Sequence, residues 1–108
     1  MDNVKDDAYY IDKVIENIDV IINYTMDLDY EEFVSNDLLV DATMFRLIQM
    51  AENIKNISQG YKDQHPEIEW GLIAGFRNGV VHNYGQTDFS TVYDIISKDI
   101  FVLRQQLK

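Results

Sequence analysis

Arg77, Asn78, His82 and Tyr84 lie close together in the stretch FRNGVVHNYG, residues 76–85. An arginine can grip a phosphate with two parallel N–H donors and stabilise charge that develops on it. A histidine, with an ordinary pKa of about 6.5, can move protons near neutral pH. Arginine and histidine together suit phosphodiester chemistry. With RNA as substrate the nucleophile can be the substrate's own 2′-OH, so the reaction needs no metal and no cofactor. Other chemistries find little support. The chain has no cysteine, which excludes disulfides, thiolate catalysis and thiolate metal sites. It has no HExxH, no Gly-rich phosphate loop and no serine-nucleophile motif. His65, the other histidine, precedes Pro66 and is expected in a loop.

Arg77 stands out by its surroundings. Between Glu69 and Asp88 there is no acid, and Arg77 is the sole Lys or Arg. Its neighbours one helical turn away, Ile73, Ala74, Val80 and Val81, are apolar. Such an arginine must snorkel, face an anion, or pair with an acid from elsewhere, for example Glu52. At roughly 100° per residue, Arg77 and Tyr84 share a helix face, and Asn78 and His82 share an adjacent one. His82 is then about 140° from Arg77. The two converge only loosely on one chain, and a dimer twofold bringing two such walls together makes a better site.

The elements that must position these residues read as helices. Val4, Ala8, Ile11, Ile15, Ile18 and Ile22 form a helical stripe, widened by Val14, Ile21 and Leu28. Asp29 and Glu32 have capping-box spacing and start a short helix or turn through Val34. Asn36 or Asp37 caps a further helix with Met44, Leu47, Ile48, Ala51 and Ile54 on one face and Gly60 as its stop. A helix from Pro66 to about Tyr84 carries the polar cluster, with Gly85 as its stop. Thr87 or Asp88 caps the last, with Phe89, Val92, Ile96, Leu103 and Leu107 in register. No pair of alternating runs flanks a hairpin turn. The expectation is all-α: one domain over residues 1–108, an up-and-down four-helix bundle with a short extra helix. Gly71, Gly75 and Gly79 recur every four residues inside the motif helix. Interior glycines each cost about 1 kcal/mol against alanine, so they imply close approach of another backbone, within the bundle or across a dimer.

At 108 residues and 46% hydrophobic, the chain has the length and composition of one small globular domain. Its formal charge of −10 is uneven. Residues 1–45 hold twelve acids against Lys5 and Lys13, whereas residues 46–108 hold seven acids and seven bases. The acidic half suits solvent or a basic protein partner. Any anion site belongs in the second half, where Arg46, Lys55 and Lys62 could extend an RNA path. The start MDNVKDDAYY does not read as a signal peptide, and no window is apolar enough for a membrane span. The expected location is the cytoplasm.

Arg77-Asn78-Gly79-Val80-Val81-His82-Asn83-Tyr84 resembles the R-N-x-x-x-H-x-Y motif of HepT-like toxins in the HEPN superfamily. HPEIEWGLIAGFRN resembles the family's Pro-x-Ile-x-Trp lead into that motif. RLIQMAENIKNIS resembles its helix with a Gly-Glu pair, except that Ala51 replaces the glycine before Glu52. The resemblance spans nearly the whole chain. It implies a HEPN-like bundle and a metal-independent endoribonuclease toxin of a type VII-like toxin–antitoxin system, working as a homodimer or in a larger hetero-oligomer. It implies as partner a minimal nucleotidyltransferase antitoxin (MntA-like) that transfers AMP to Tyr84. In that scheme Arg77 binds the scissile phosphate, His82 is the general acid or base, and Asn78 orients His82 or the phosphate. Tyr84 is the AMPylation site. The alternatives are a non-catalytic HEPN module that binds nucleotide or a partner, and a plain helical dimerisation domain.

Overall fold

Asp6 starts the first element of the computed structural model, which describes residues 5–83, 85 and 87–107, with residues 78–83 described by their helical backbone alone. The Asp6 side chain accepts a hydrogen bond from Tyr9 N and caps α1, Asp7–Thr25. The chain then turns through Asp27, whose φ of 65° lies in the left-handed region that aspartate tolerates better than most residues. Asp29 and Glu32 form the expected capping box and launch α2, Tyr30–Val34. Asn36 accepts from Leu39 N and caps α3, Asp37–Lys55.

Two boundaries differ from expectation. Gly60 does not stop α3. That helix ends at Lys55, and Ser58 caps a further short helix, α4 (Gln59–Gln64), with Gly60 inside it. The motif helix, α5, begins at Gly71 rather than Pro66 and runs to Asn83. The lead folds instead as successive turns, with Ile68 N donating to His65 O and Trp70 N to Ile68 O. Trp70 Nε1 also donates to His65 O, at 3.1 Å. The expected helix end at Tyr84 lies outside the described residues.

Asp88 caps α6, Phe89–Asp94, accepting from Ser90 N. A single π-helical turn, Ile95–Asp99, follows, and α7, Ile100–Leu107, completes one long C-terminal rod. Among the described residues the regular elements are all helical, so the fold class is all-α as expected. The four main segments are α1, α3, α5 and the C-terminal rod.

α1 packs on α3 and on the rod, while α5 packs on α3. The core joins Val14, Ile18 and Ile21 of α1 to Leu47 and Met50 of α3 and to Ile95 and Ile100 of the rod. The α1 stripe is thus centred on Val14–Ile18–Ile21, with Ile11, Ile15 and Ile22 only half-buried at its margin. Ile95 and Ile96, the first two residues of the π turn, are both buried. Tyr93 Oη donates to Leu28 O at 2.8 Å and ties the rod to the turn after α1.

Candidate functional site

Arg77 stands on α5 opposite α3. Ile73, one turn earlier, is 2% exposed and fixes that face of α5 in the core. Arg77 Nη2 lies 3.8 Å from Glu52 Oε2 on α3, and both side chains are half-buried. Of the open readings for this arginine, pairing with a distant acid is the one seen. The contact is an ion pair longer than a hydrogen bond, and it is exposed enough for solvent to screen it. Glu52 is therefore a neighbour of Arg77 that spacing along the motif could not supply, since it comes from another helix.

Asn78 and His82 fall in the part of α5 described by backbone alone, and Tyr84 lies outside the described residues. The unbroken helix still fixes the register of positions 78 and 82. Position 82 follows Gly75 by seven residues, so it returns to the side of Gly71 and Gly75 at about 100° per residue. Position 77 lies on the α3 side. Arg77 and His82 thus occupy different faces of α5.

The glycine side is open. A Cβ built on Gly71 or on Gly75 would meet no atom within 4 Å. Close approach within the bundle is therefore not why these two positions are glycine, and Gly79 lies in the stretch described by backbone alone. Leu72, beside them, is 37% exposed.

The Pro-x-Ile-x-Trp lead holds the start of α5 in place. Ile68 enters the core, and Trp70 meets Tyr61 edge-on, with the ring centroids 6.0 Å apart. Tyr61 also stacks on His65 at 4.4 Å. His65 Nδ1 lies 3.1 Å from Glu67 Oε2, which places this histidine in the lead and not beside Arg77. The carboxyl of Glu67 is held below its ordinary pKa by a backbone N–H bond and by His65. Just before this lead, Ser58 N and Oγ donate to Asp7 at 2.8 and 2.7 Å, pinning α4 to α1 and lowering the Asp7 pKa.

Of the bases expected along an RNA path, Arg46 is engaged elsewhere. Its Nη1 donates to Asn17 Oδ1 at 3.2 Å in the seam between α3 and α1. Lys62 sits over the Trp70 ring at 5.9 Å, and Lys55 is exposed at the end of α3. Among the described residues no group of three or more His, Asp or Glu side chains is arranged to hold a metal ion. Nor is any described helix long and apolar enough to cross a membrane.

The family model described as Ribonuclease HepT-like matches residues 14–108, from the middle of α1 to the end of the chain. This chain belongs to the HepT-like ribonuclease family. The chain is 28% identical over 104 residues to the candidate RNase MJ0125 of Methanocaldococcus jannaschii, covering 96% of this chain and 90% of that protein. It is 29% identical over 91 residues to Probable ribonuclease HepT of Thermococcus cleftensis, covering 84% of this chain and 83% of that one. A third relative, the candidate RNase TTE0752 of Caldanaerobacter subterraneus, is 25% identical over 99 residues, covering 92% of this chain and 88% of that one. No solved structure matches. Ala51 is 3% exposed in the core, one position before the glutamate that meets Arg77.

Proposed function

We propose that this HepT-like protein is an endoribonuclease that cuts RNA at an Arg77–His82 centre. The observation that carries the reading is that a chain of this ribonuclease family sets Arg77 and His82 on one continuous helix, α5. In the reaction, the RNA 2′-oxygen attacks the adjacent phosphorus as its proton passes to a base. The P–O5′ bond breaks, and the 5′-oxygen takes a proton from an acid. His82 serves in one or both proton transfers, and Arg77 holds the phosphate charge. Asn78 orients one of them. The products are a 2′,3′-cyclic phosphate and a free 5′-OH. No step calls on a metal. The loose contact with Glu52 supports the role of Arg77, since a dianionic transition state can displace a partner held at 3.8 Å.

The site is composite in this reading. Arg77 faces α3, while the glycine side at positions 71 and 75 is open and shares its register with position 82. A second α5 lying on that side would let the backbones approach and bring a second set of residues to each cleft. A mixing experiment tests this. Arg77→Ala and His82→Ala proteins are each inactive, and a mixed dimer regains cleavage if one chain supplies arginine and the other histidine. No recovery after subunit exchange would place each centre within one chain.

The control we propose is AMP transfer to Tyr84 by a minimal nucleotidyltransferase antitoxin. The tyrosine oxygen attacks the α-phosphate of ATP, and pyrophosphate leaves. The bulk and negative charge so added to the motif would oppose RNA binding. Growth arrest on expression, lost in Arg77→Ala, is expected of such a toxin. The contact with Glu52 also favours a second reading, in which Arg77 is a structural cation of a non-catalytic partner-binding module. RNA left intact by the wild-type protein, with nucleotidyltransferase binding retained in His82→Ala, would select that reading.

A further inference from the structure

A pocket of about 220 Å³ opens between the start of α5 and the last turns of the rod. Trp70, Ile73, Ile100 and Leu103 form its apolar floor, and Glu69 and Asp99 stand at its rim. Glu67 is a third carboxylate on the lining, already engaged by His65. Among the described residues, neither Glu69 nor Asp99 forms an ion pair. At the mouth, Leu72 is 37% and Val102 56% exposed, so apolar lips border the acidic rim. The shape has a structural origin. Asp99 is the last residue of the π-helical turn, and Ile100 N bonds back to Ile95 O across the widened ring. Such turns are rare and recur at functional sites.

The chemistry of the lining selects its occupant. Three carboxylates at one rim repel a phosphate backbone, so this is not part of an RNA path. The volume falls below the roughly 300–1,000 Å³ usual for a small-molecule site and suits one anchored side chain. An arginine or lysine has the matching division: an apolar stem for the floor and a cationic head for the rim. We propose that this pocket docks a basic segment of a protein partner, which inserts one Arg or Lys between Glu69 and Asp99 and rests neighbouring apolar residues on Leu72 and Val102. Burial pushes the Asp99 carboxyl above its ordinary pKa, and repulsion from Asp94 and Glu69 adds to the shift while Lys98 opposes it. A bound cation would relieve that repulsion. The inference does not depend on the ribonuclease reading.

Trp70 is the chain's single tryptophan and lines the pocket, so its fluorescence reports occupancy directly. The probe is a capped peptide in which leucine alternates with arginine, titrated into the full-length protein. The expected result is a saturable change in Trp70 emission. It is weakened roughly tenfold by Glu69→Gln with Asp99→Asn, and as much by citrulline in place of arginine, which needs no protein variant. A charge-matched control, Asp12→Asn with Glu31→Gln, should shift binding less than about twofold. Equal weakening by that control would reduce the effect to the chain's overall negative charge and overturn the proposal. So would an absence of saturation. A change of oligomeric state in light scattering caused by Glu69→Lys would assign the pocket to a second copy of this chain, which also overturns it.

Discussion

Near the middle of α5, Arg77 lies 3.8 Å from the carboxylate of Glu52. At its start, Glu69 and Asp99 border a pocket and form no ion pair among the described residues. The middle of α5 thus carries a cation answered by an acid, while the pocket where α5 begins meets the rod has two acids without an ion pair among the described residues. The first arrangement gives an arginine on an apolar helix an acid partner from α3. The second leaves a carboxylate whose burial and neighbours disfavour its charge. In the two proposals made above, the contrast would separate a place for phosphate at the middle of α5 from a place for a basic partner where α5 begins and meets the rod.

The largest expected effect tests whether the two regions are separate. Arg77→Ala or His82→Ala should lower RNA cleavage by about 10²–10⁴-fold. Neither should alter binding of the leucine–arginine peptide, which Trp70 emission would report. Loss of both activities in either variant would merge the two regions into one.

Next is the residue that joins them. Ile73 is buried at 2% exposure, faces the core and lines the pocket. Ile73→Ala should cost about 2–5 kcal/mol, read from the urea midpoint. A smaller loss would mean that α5 is held chiefly by something other than this packing. Glu52→Gln is a milder change. It removes the carboxylate nearest Arg77 and should lower KM for RNA by about two- to fivefold, while stability moves by less than about 1 kcal/mol because the pair is half-exposed. A higher KM would make Glu52 a necessary positioner of the arginine.

The smallest effects have opposite signs with pH. Because the Asp99 pKa is raised in the fold, its contribution to stability is full in acid and is lost as pH rises through that value. Asp99→Asn should therefore be slightly more stable than wild type at neutral pH, and the difference should close below about pH 4. Asp7, whose pKa is lowered by Ser58, behaves in reverse. Its contribution is present at neutral pH and lost as pH falls through the depressed value, so Asp7→Asn should be the less stable protein at neutral pH. Urea midpoints from pH 3 to 7 for both variants check the two signs.

How much of this was legible in the sequence depended on range. Local signals held: the Asp29–Glu32 capping box and the Asn36 and Asp88 caps are each visible within four residues, and each forms as expected. Pro66 misled because it permits a helix start without demanding one. The indole of Trp70 bonded to His65 O holds the lead in turns instead. Ser58 caps a short helix that contains Gly60, a residue whose type otherwise signals a helix end. The π turn was not legible, since nothing in IISKD marks an extra residue per turn. Without it, Asp99 cannot be assigned to the pocket rim. The Arg77–Glu52 contact sat between these cases. The apolar neighbours of Arg77 showed that its partner must be distant, and Glu52 was one such acid, but only packing of α5 on α3 brings them together.

The central claim is that Arg77 and His82 make this HepT-like chain a ribonuclease. Its most direct test is single-turnover cleavage of an end-labelled RNA in excess chelator, comparing wild type with Arg77→Ala and His82→Ala. The account predicts wild-type cleavage that leaves 2′,3′-cyclic phosphate ends, with both variants slower by at least about a hundredfold. Wild-type protein that leaves the RNA intact, or variants that cut as fast as wild type, would contradict it.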